Sequence, residues 1–239
     1  MADGLLIQED KGVLSGLGVP PGAFAALRDI LLDIRSANRR VNLVAGDSGA
    51  ELRLHLLDSI QALADPAAST EAARVIDVGT GGGFPGLPLL IARPGWRGTL
   101  VDAVRKKANA LSDILARRTG GRGEALWGRA ETLAREEGRR DVYDLAFCRA
   151  VGRFSTVMEL TLPFLKPGGV LLAHRGHEAP AEAEGGRAAA EALGGRIEEL
   201  TPYHLPSLDK TRYIVRVVKV SATPPAYPRR DGVPAKRPL

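Results

Sequence analysis

Cysteine is almost absent. The 239-residue chain holds one, Cys148, so no intrachain disulfide can form, and this usage fits a reducing compartment. No apolar run is long enough to span a bilayer. The first residues also lack the basic stretch followed by an apolar core that marks a secretory leader. The expected address is therefore cytoplasmic, with no membrane partner. No segment repeats. Positive charge exceeds negative only modestly, 33 Lys and Arg against 28 Asp and Glu, for a formal net charge of +5. That excess favours a polyanionic partner over an acidic one. The 44% hydrophobic and 26% charged fractions are ordinary for a globular protein, and the length allows one full α/β domain with a small appendage.

Against this background one stretch stands out. Val75-Ile76-Asp77-Val78 is an apolar run with an acid inside it, and it flows into Gly79-Thr80-Gly81-Gly82-Gly83-Phe84-Pro85-Gly86. A second apolar run over 98–101 ends on Asp102. Strand, glycine turn, helix, strand, acid is the front half of a doubly wound nucleotide-binding sheet. Around it, Pro20-Pro21 precede a helical stripe of Phe24, Leu27, Ile30, Leu31 and Ile34. A second amphipathic helix carries Leu52, Leu56, Leu57, Ile60 and Leu63, and 64–71 reads as a loop. Further strands are expected over 125–127, 144–147 and 170–173, with helices between them. The run 180–195 reads as an exposed helix. Segments 197–200 and 212–220 read as strands that pair antiparallel at the sheet edge, because no crossover helix separates them. The expected fold is α/β and Rossmann-like: a mostly parallel sheet with an antiparallel C-terminal edge and helices on both faces. Its expected divisions are an N-terminal helical cap over 1–70, the core over 71–220, and a basic, proline-rich tail over 221–239 that reads as disordered.

The glycine turn alone leaves several nucleotide-like ligands open. Gly81, Gly83 and Gly86 form a literal GxGxxG, which suits NAD, FAD or S-adenosylmethionine. Asp102 suits a ribose diol in any of them. Asp77 separates them, because an acid two residues before the first glycine suits an ammonium group better than an approaching pyrophosphate. Asp77 with Asp102 therefore favours S-adenosylmethionine. Backbone groups of Ala130 and Glu131, after the third strand, fall beside the adenine side of such a cleft. No metal site is expected.

The end of strand four reads Phe147-Cys148-Arg149-Ala150. It lacks the Asn/Asp-Pro-Pro-aromatic signature of adenine N6 methylation. Cys148 lacks the preceding proline usual for a nucleophile, and reads as a small buried hydrophobe. Arg149 suits a carboxylate, a phosphate or a guanine edge. No catalytic base stands out, and N7 of guanine, with its free lone pair, needs none. Arg39, Arg40, Lys106, Arg175 and Arg212 are the candidate polyanion contacts, several on the rim expected to hold the cofactor, and His55 is a further candidate, lining the substrate entry.

These residues together resemble the small-subunit ribosomal RNA guanine-N7 methyltransferase family, also called glucose-inhibited division protein B. The resemblance runs from about 38 to 220. It rests on Asn42-Leu43, His55-Leu56-Leu57-Asp58-Ser59, the segment Asp77 to Gly86, Asp102 with Lys106-Lys107, Arg129-Ala130-Glu131 and Arg149-Ala150. It implies that Gly79, Phe84, Ala130, Glu131 and Arg149 contact S-adenosylmethionine and that Asp102 holds the ribose. It also implies a 7-methylguanosine product in the decoding-region hairpin of 16S rRNA, on the small subunit or its precursor, and an enzyme taken as monomeric. Leu54 and Arg175 stand where the family has arginine and lysine. Two other readings remain: an NAD-dependent oxidoreductase using Gly81, Gly83, Gly86 and Asp102, and a non-catalytic RNA-binding or ribosome-assembly module that retains the fold.

Overall fold

The computed structural model describes residues 5–206 and 208–239. Seven strands form one sheet: β1 (Arg74–Val78), β2 (Arg97–Asp102), β3 (Gly123–Trp127), β4 (Tyr143–Arg149), β5 (Leu165–Arg175), β6 (Gly195–Tyr203) and β7 (Arg212–Lys219). Their order is β3-β2-β1-β4-β5-β7-β6. The first five run parallel, while β7 pairs antiparallel with both β5 and β6. Strand order reverses between β1 and β4, which opens a crevice beyond their carboxyl ends.

Alternation along the strands assigns the two faces. Val75, Leu100, Leu145, Phe147 and Leu172 bury into one core, Ile76, Val101, Ala146, Cys148 and Leu171 into the other. The first core is covered by α2 (Ala23–Val41), α3 (Gly49–Ile60), α4 (Gly86–Ala92) and α5 (Arg105–Arg118). The second lies under α6 (Ala130–Leu133), α7 (Phe154–Thr161), α8 (Ala179–Gly185) and α9 (Arg187–Ala192). The stripe expected on α2 is real: Leu27, Ile30, Leu31 and Ile34 are all fully buried. Each such burial contributes roughly 1.5–3 kcal/mol as an upper estimate. The helix stops at Asn42, which takes the left-handed conformation at φ 55°. A reciprocal cap starts α3, where Ser48 Oγ accepts from Glu51 N–H and the Glu51 carboxylate accepts from Ser48 N–H. The N-terminal helices share the first core with the sheet and have none of their own.

Three expectations need correction. Helix α1 (Gln8–Gly16) lies ahead of the first helix expected from the sequence, the one that follows Pro20-Pro21. It is held by Asp10, whose carboxylate takes a bidentate pair from Arg53 at 2.7–2.9 Å. The run 180–195 is not one exposed helix but contains α8 and α9, with Ala183, Ala189, Ala190 and Leu193 buried. Alanines conceal the buried stripe because they weigh little in a hydrophobic pattern.

The tail, expected to be disordered, is instead packed. It leaves β7 at the fully buried Lys219, whose ammonium donates to Leu162 O and Thr223 Oγ1. It then runs to a last short helix, α10 (Val233–Lys236). Composition misleads here because the tail's charges find partners inside the fold. Arg229 closes on Glu159, an acid with no exposed surface.

Candidate cofactor crevice and substrate cavity

The glycine turn is held from both sides. Gly79 and Thr80 N–H donate to Val101 O at 2.9 and 3.0 Å, tying the end of β1 to β2. Gly79 sits at φ 75°, and an added Cβ would lie 2.6 Å from Val151 Cγ2. Only glycine satisfies both demands. Asp77 braces the turn from beneath. Its Oδ2 accepts Thr80 Oγ1 at 2.6 Å and Gly86 N–H at 2.8 Å, and it is 1% exposed. Burial pushes its carboxyl up to about 6, against the opposing hydrogen bonds from Thr80 and Gly86. This corrects the reading of Asp77 as a ligand contact: it lies under the turn, and its second oxygen is buried without a partner.

Asp102 is fixed by two backbone donors, Gly81 N–H to Oδ2 at 2.9 Å and Val104 N–H to Oδ1 at 2.8 Å. A carboxylate has about four acceptor sites, so each oxygen keeps one for a ligand hydroxyl. Asp102 lines an open crevice of about 290 Å³ together with Gly79, Val101, Ala130, Glu131 and Thr156. Gly81 contributes through Asp102 and does not line the crevice. The Glu131 carboxylate, 2% exposed, accepts from Arg129 Nη2 at 2.9 Å and Gly232 N–H at 2.8 Å. Its side chain is thus committed to the protein, leaving the backbone at the head of α6 to the crevice. A volume near the lower end of the usual range for small-molecule sites, roughly 300 Å³ and above, fits a nucleoside. Apolar walls from Val78, Val101 and Leu160 and a fixed acid for the diol fit it further. The residues present therefore suit S-adenosylmethionine.

A second cavity of about 210 Å³ adjoins it, lined by Leu54, His55, Arg149, Leu205, Leu208 and Arg212. Its floor is Asp58 on α3. Asp58 Oδ1 accepts Tyr203 Oη at 2.6 Å and Arg212 Nε at 2.9 Å, and Oδ2 accepts Arg149 Nη1 at 2.9 Å. Burial alone would raise this carboxyl, but the surrounding His174, Arg149 and Arg212 outweigh it and hold it below the usual value. Arg149 also lies 5.3 Å from the Phe84 ring centre, and Phe84 packs against His55 at 5.2 Å. Phe84 is 2% exposed, so its ring is a platform under Arg149 rather than a surface for ligand. Burial, then Arg149, pushes His55 down to about 4, so it is neutral at pH 7. His174 is neutral too, pushed to about 4 mainly by burial, with Nε2 donating to Asp58 O at 3.0 Å.

Of the basic residues singled out, Arg212 meets Arg149 at Asp58; Arg149, expected at the cofactor, lines this second cavity and not the crevice. Arg40 and Lys106 are exposed and share a groove between α2 and α5, with Arg39 exposed beside them. Arg175 is a correction: it is 9% exposed, its Nε bonds Glu182 at 2.8 Å, its Nη2 bonds Gly152 O at 3.1 Å, and none of this leaves it facing a polyanion. Asp58 and Tyr203 were missed. An aspartate on the buried face of an apolar helix was the available signal for the first; nothing in the pattern marks Tyr203. Among the described residues, no cluster of three or more His, Cys, Asp or Glu is placed to hold a metal. Burial also pushes the Cys148 thiol far up, as expected of an inert core residue.

A parallel sheet with a reversed terminal strand, a glycine turn and an acid at the end of β2 define a Rossmann-like methyltransferase. Solved structures agree on the fold: a 16S rRNA (adenine(1408)-N(1))-methyltransferase from Catenulisporales acidiphilia superposes with a TM-score of 0.52 at 18% identity, over 65% of this chain and 89% of that one. The antibiotic-resistance methyltransferase Kmr gives 0.51 at 19%, over 66% and 91%. Residues 24–211 match the family model GidB, rRNA small subunit methyltransferase G. Proteins named ribosomal RNA small subunit methyltransferase G from Deinococcus deserti and Symbiobacterium thermophilum are each 40% identical, over 94% and 96% of this chain and 91% and 96% of their own lengths. The chain belongs to this family, and it is an S-adenosylmethionine-dependent methyltransferase by membership.

Proposed function

We propose that the protein transfers a methyl group from S-adenosylmethionine to N7 of a guanine in 16S rRNA, in the decoding-region hairpin of the small ribosomal subunit or its precursor, in the cytoplasm. The observation that carries this reading is the adjacency of the two cavities. Residues 149–152 wall both, Arg149 and Ala150 facing one and Val151 and Gly152 the other. When bound, the cofactor supplies an electrophilic sulfonium methyl. Asp102 accepts the ribose hydroxyls, and the backbone of Ala130 and Glu131 meets the adenine edge. Arg149 and Arg212, oriented by Asp58, face the target nucleotide with donors suited to phosphate or to the O6/N7 edge of guanine.

The second cavity holds two fixed cations and a neutral histidine. That set positions a base and excludes water but offers no proton acceptor tuned near neutrality. Guanine N7 needs none, since it carries no proton before transfer, and positioning alone can supply much of the rate. Exposed Arg39, Arg40 and Lys106 extend the cationic surface toward rRNA. Among the described residues, no helix is long and apolar enough to cross a membrane.

Incubation with methyl-labelled cofactor and small subunits lacking the modification tests the reading. Label in 7-methylguanosine of 16S rRNA is expected. Stabilisation by NAD but not by S-adenosylhomocysteine would favour the oxidoreductase instead. Cofactor binding without transfer to rRNA or subunits would favour the assembly module.

A further inference from the structure

We propose that the C-terminal segment 229–236 is a fixed wall of the cofactor crevice and sets its affinity for the nucleoside end of the ligand. The inference rests on the reading of the crevice as an S-adenosylmethionine site. It extends that reading to residues beyond the stretch matched by the family model, which ends at 211.

Two buried acids anchor the segment. Glu159, on α7, has no exposed surface. It accepts Arg229 N–H at 2.8 Å, Arg229 Nε at 2.9 Å and Arg229 Nη2 at 2.6 Å. Glu131 accepts Gly232 N–H at 2.8 Å. Around these lie Thr132 Oγ1 to Asp231 at 2.9 Å and Thr156 Oγ1 to Pro234 O at 2.9 Å. Arg140 adds bonds to Thr223 O at 2.7 Å and Tyr227 O at 3.1 Å.

A segment that merely rested on the surface would be held by solvated ion pairs, which fix little. This one supplies partners to two carboxylates buried in the core domain, and a buried charge without a partner is strongly disfavoured. The segment is therefore part of the fold. It ends where Ala235 on α10 lines the crevice together with Asp102, Thr156 and Glu131.

The geometry also links the segment to α6. Glu131 heads that helix next to Ala130, and both line the crevice. With its carboxylate bound to Gly232, the backbone that faces the ligand is held in place by the tail. Loss of the tail removes one wall and loosens a second. A bulky residue at position 235, by contrast, narrows the crevice while every anchor stays intact. Preorganised walls raise affinity by lowering the ordering cost of binding.

The test is calorimetric titration of S-adenosylhomocysteine into the unaltered protein, a chain ending at Ala226, Arg229→Gln and Ala235→Trp, with circular dichroism and thermal unfolding on each. We expect at least tenfold weaker binding for the shortened chain and for Ala235→Trp. The latter should keep the melting temperature of the unaltered protein without ligand. Arg229→Gln should show an intermediate loss. Saturating ligand should also slow tryptic cleavage after Arg230, which is exposed. If the shortened chain does not fold, Ala235→Trp and Arg229→Gln carry the test. Binding within twofold of the unaltered protein for the folded variants, with cleavage unaffected by ligand, would overturn the proposal. If the unaltered protein itself fails to bind, the reading of the crevice falls and this inference falls with it.

Discussion

Replacing Asp58 by asparagine tests whether one carboxylate organises the substrate cavity. The side chain is 5% exposed and balances Arg149 at 13% and Arg212 at 28%. Removing one partner of a fully buried ion pair costs roughly 3–5 kcal/mol. Both guanidinium groups here reach some water, so the lower end applies, about 3 kcal/mol. For a chain of this size, 1 kcal/mol moves the melting temperature by about 2–4 °C, so a fall of about 6–12 °C is expected. Urea unfolding followed by tryptophan fluorescence measures the same quantity, since Trp96 is buried and Trp127 exposed.

The pH dependence gives a second reading of the same substitution. The folded-state value of Asp58 lies below its ordinary one, so its contribution is complete above the unfolded value and is lost as pH falls through the folded one. The gap between the two proteins should stay constant from pH 8 to about 5 and narrow below about 4. In a double-mutant cycle, Asp58→Asn with Arg149→Met should show coupling of about 1–3 kcal/mol. Methyl transfer should fall with either substitution alone. A gap under about 1 kcal/mol, the range of exposed pairs, or additivity within about 0.5 kcal/mol, would refute the idea that Asp58 orients Arg149.

The remaining predictions concern the glycine turn. Burial raises Asp77 to about 6 from 3.8, so the native state binds this proton more tightly. That contribution is present below the unfolded value and is lost as pH rises through about 6. Asp77→Asn should therefore gain up to about 3 kcal/mol on the unaltered protein between pH 4 and 7.5; a difference in urea midpoints that is flat with pH would reject it. Gly79→Ala places a Cβ 2.6 Å from Val151 Cγ2 at φ 75°. It should lower stability by about 1–2 kcal/mol from the left-handed backbone alone and weaken S-adenosylhomocysteine binding in calorimetry, and unchanged affinity would show that residues 150–152 yield freely.

Periodic features were the legible ones. The parallel strands and the stripe on α2 follow from apolar spacing, and the antiparallel edge from the missing crossover. Asp102, Gly79 and the pair Ala130–Glu131 line one crevice, because strand ends and glycine turns fix where they fall. What sequence could not show was partner choice. Arg175 looks as free as Arg212 in the chain, yet Glu182 on α8 takes the first and Asp58 takes the second. Asp77 looked like a ligand group because an acid two residues before the first glycine suits an ammonium. Its partners proved to be Thr80 and Gly86 in the turn above it. The tail failed for the same cause: its composition suggests disorder until Glu159 is seen to take Arg229 and Glu131 to take the Gly232 N–H.

The two cavities are joined by the shortest possible piece of chain. β4 ends at Arg149, and Ala150 then takes φ 57°, a region that costs a non-glycine residue roughly 1–2 kcal/mol. That turn sends Arg149 toward Asp58 while Val151 folds back over Gly79. An extended residue at 150 would carry the chain straight on from the sheet and separate the two contacts. Such a conformation persists only where its surroundings enforce it. Here they do so from both ends, through the Arg149–Asp58 ion pair at 2.9 Å and through Val151 packed against a residue with no side chain. The position of the cation in the substrate cavity and the shape of the cofactor crevice are thus set by one backbone turn, and a shift at either end must be felt at the other.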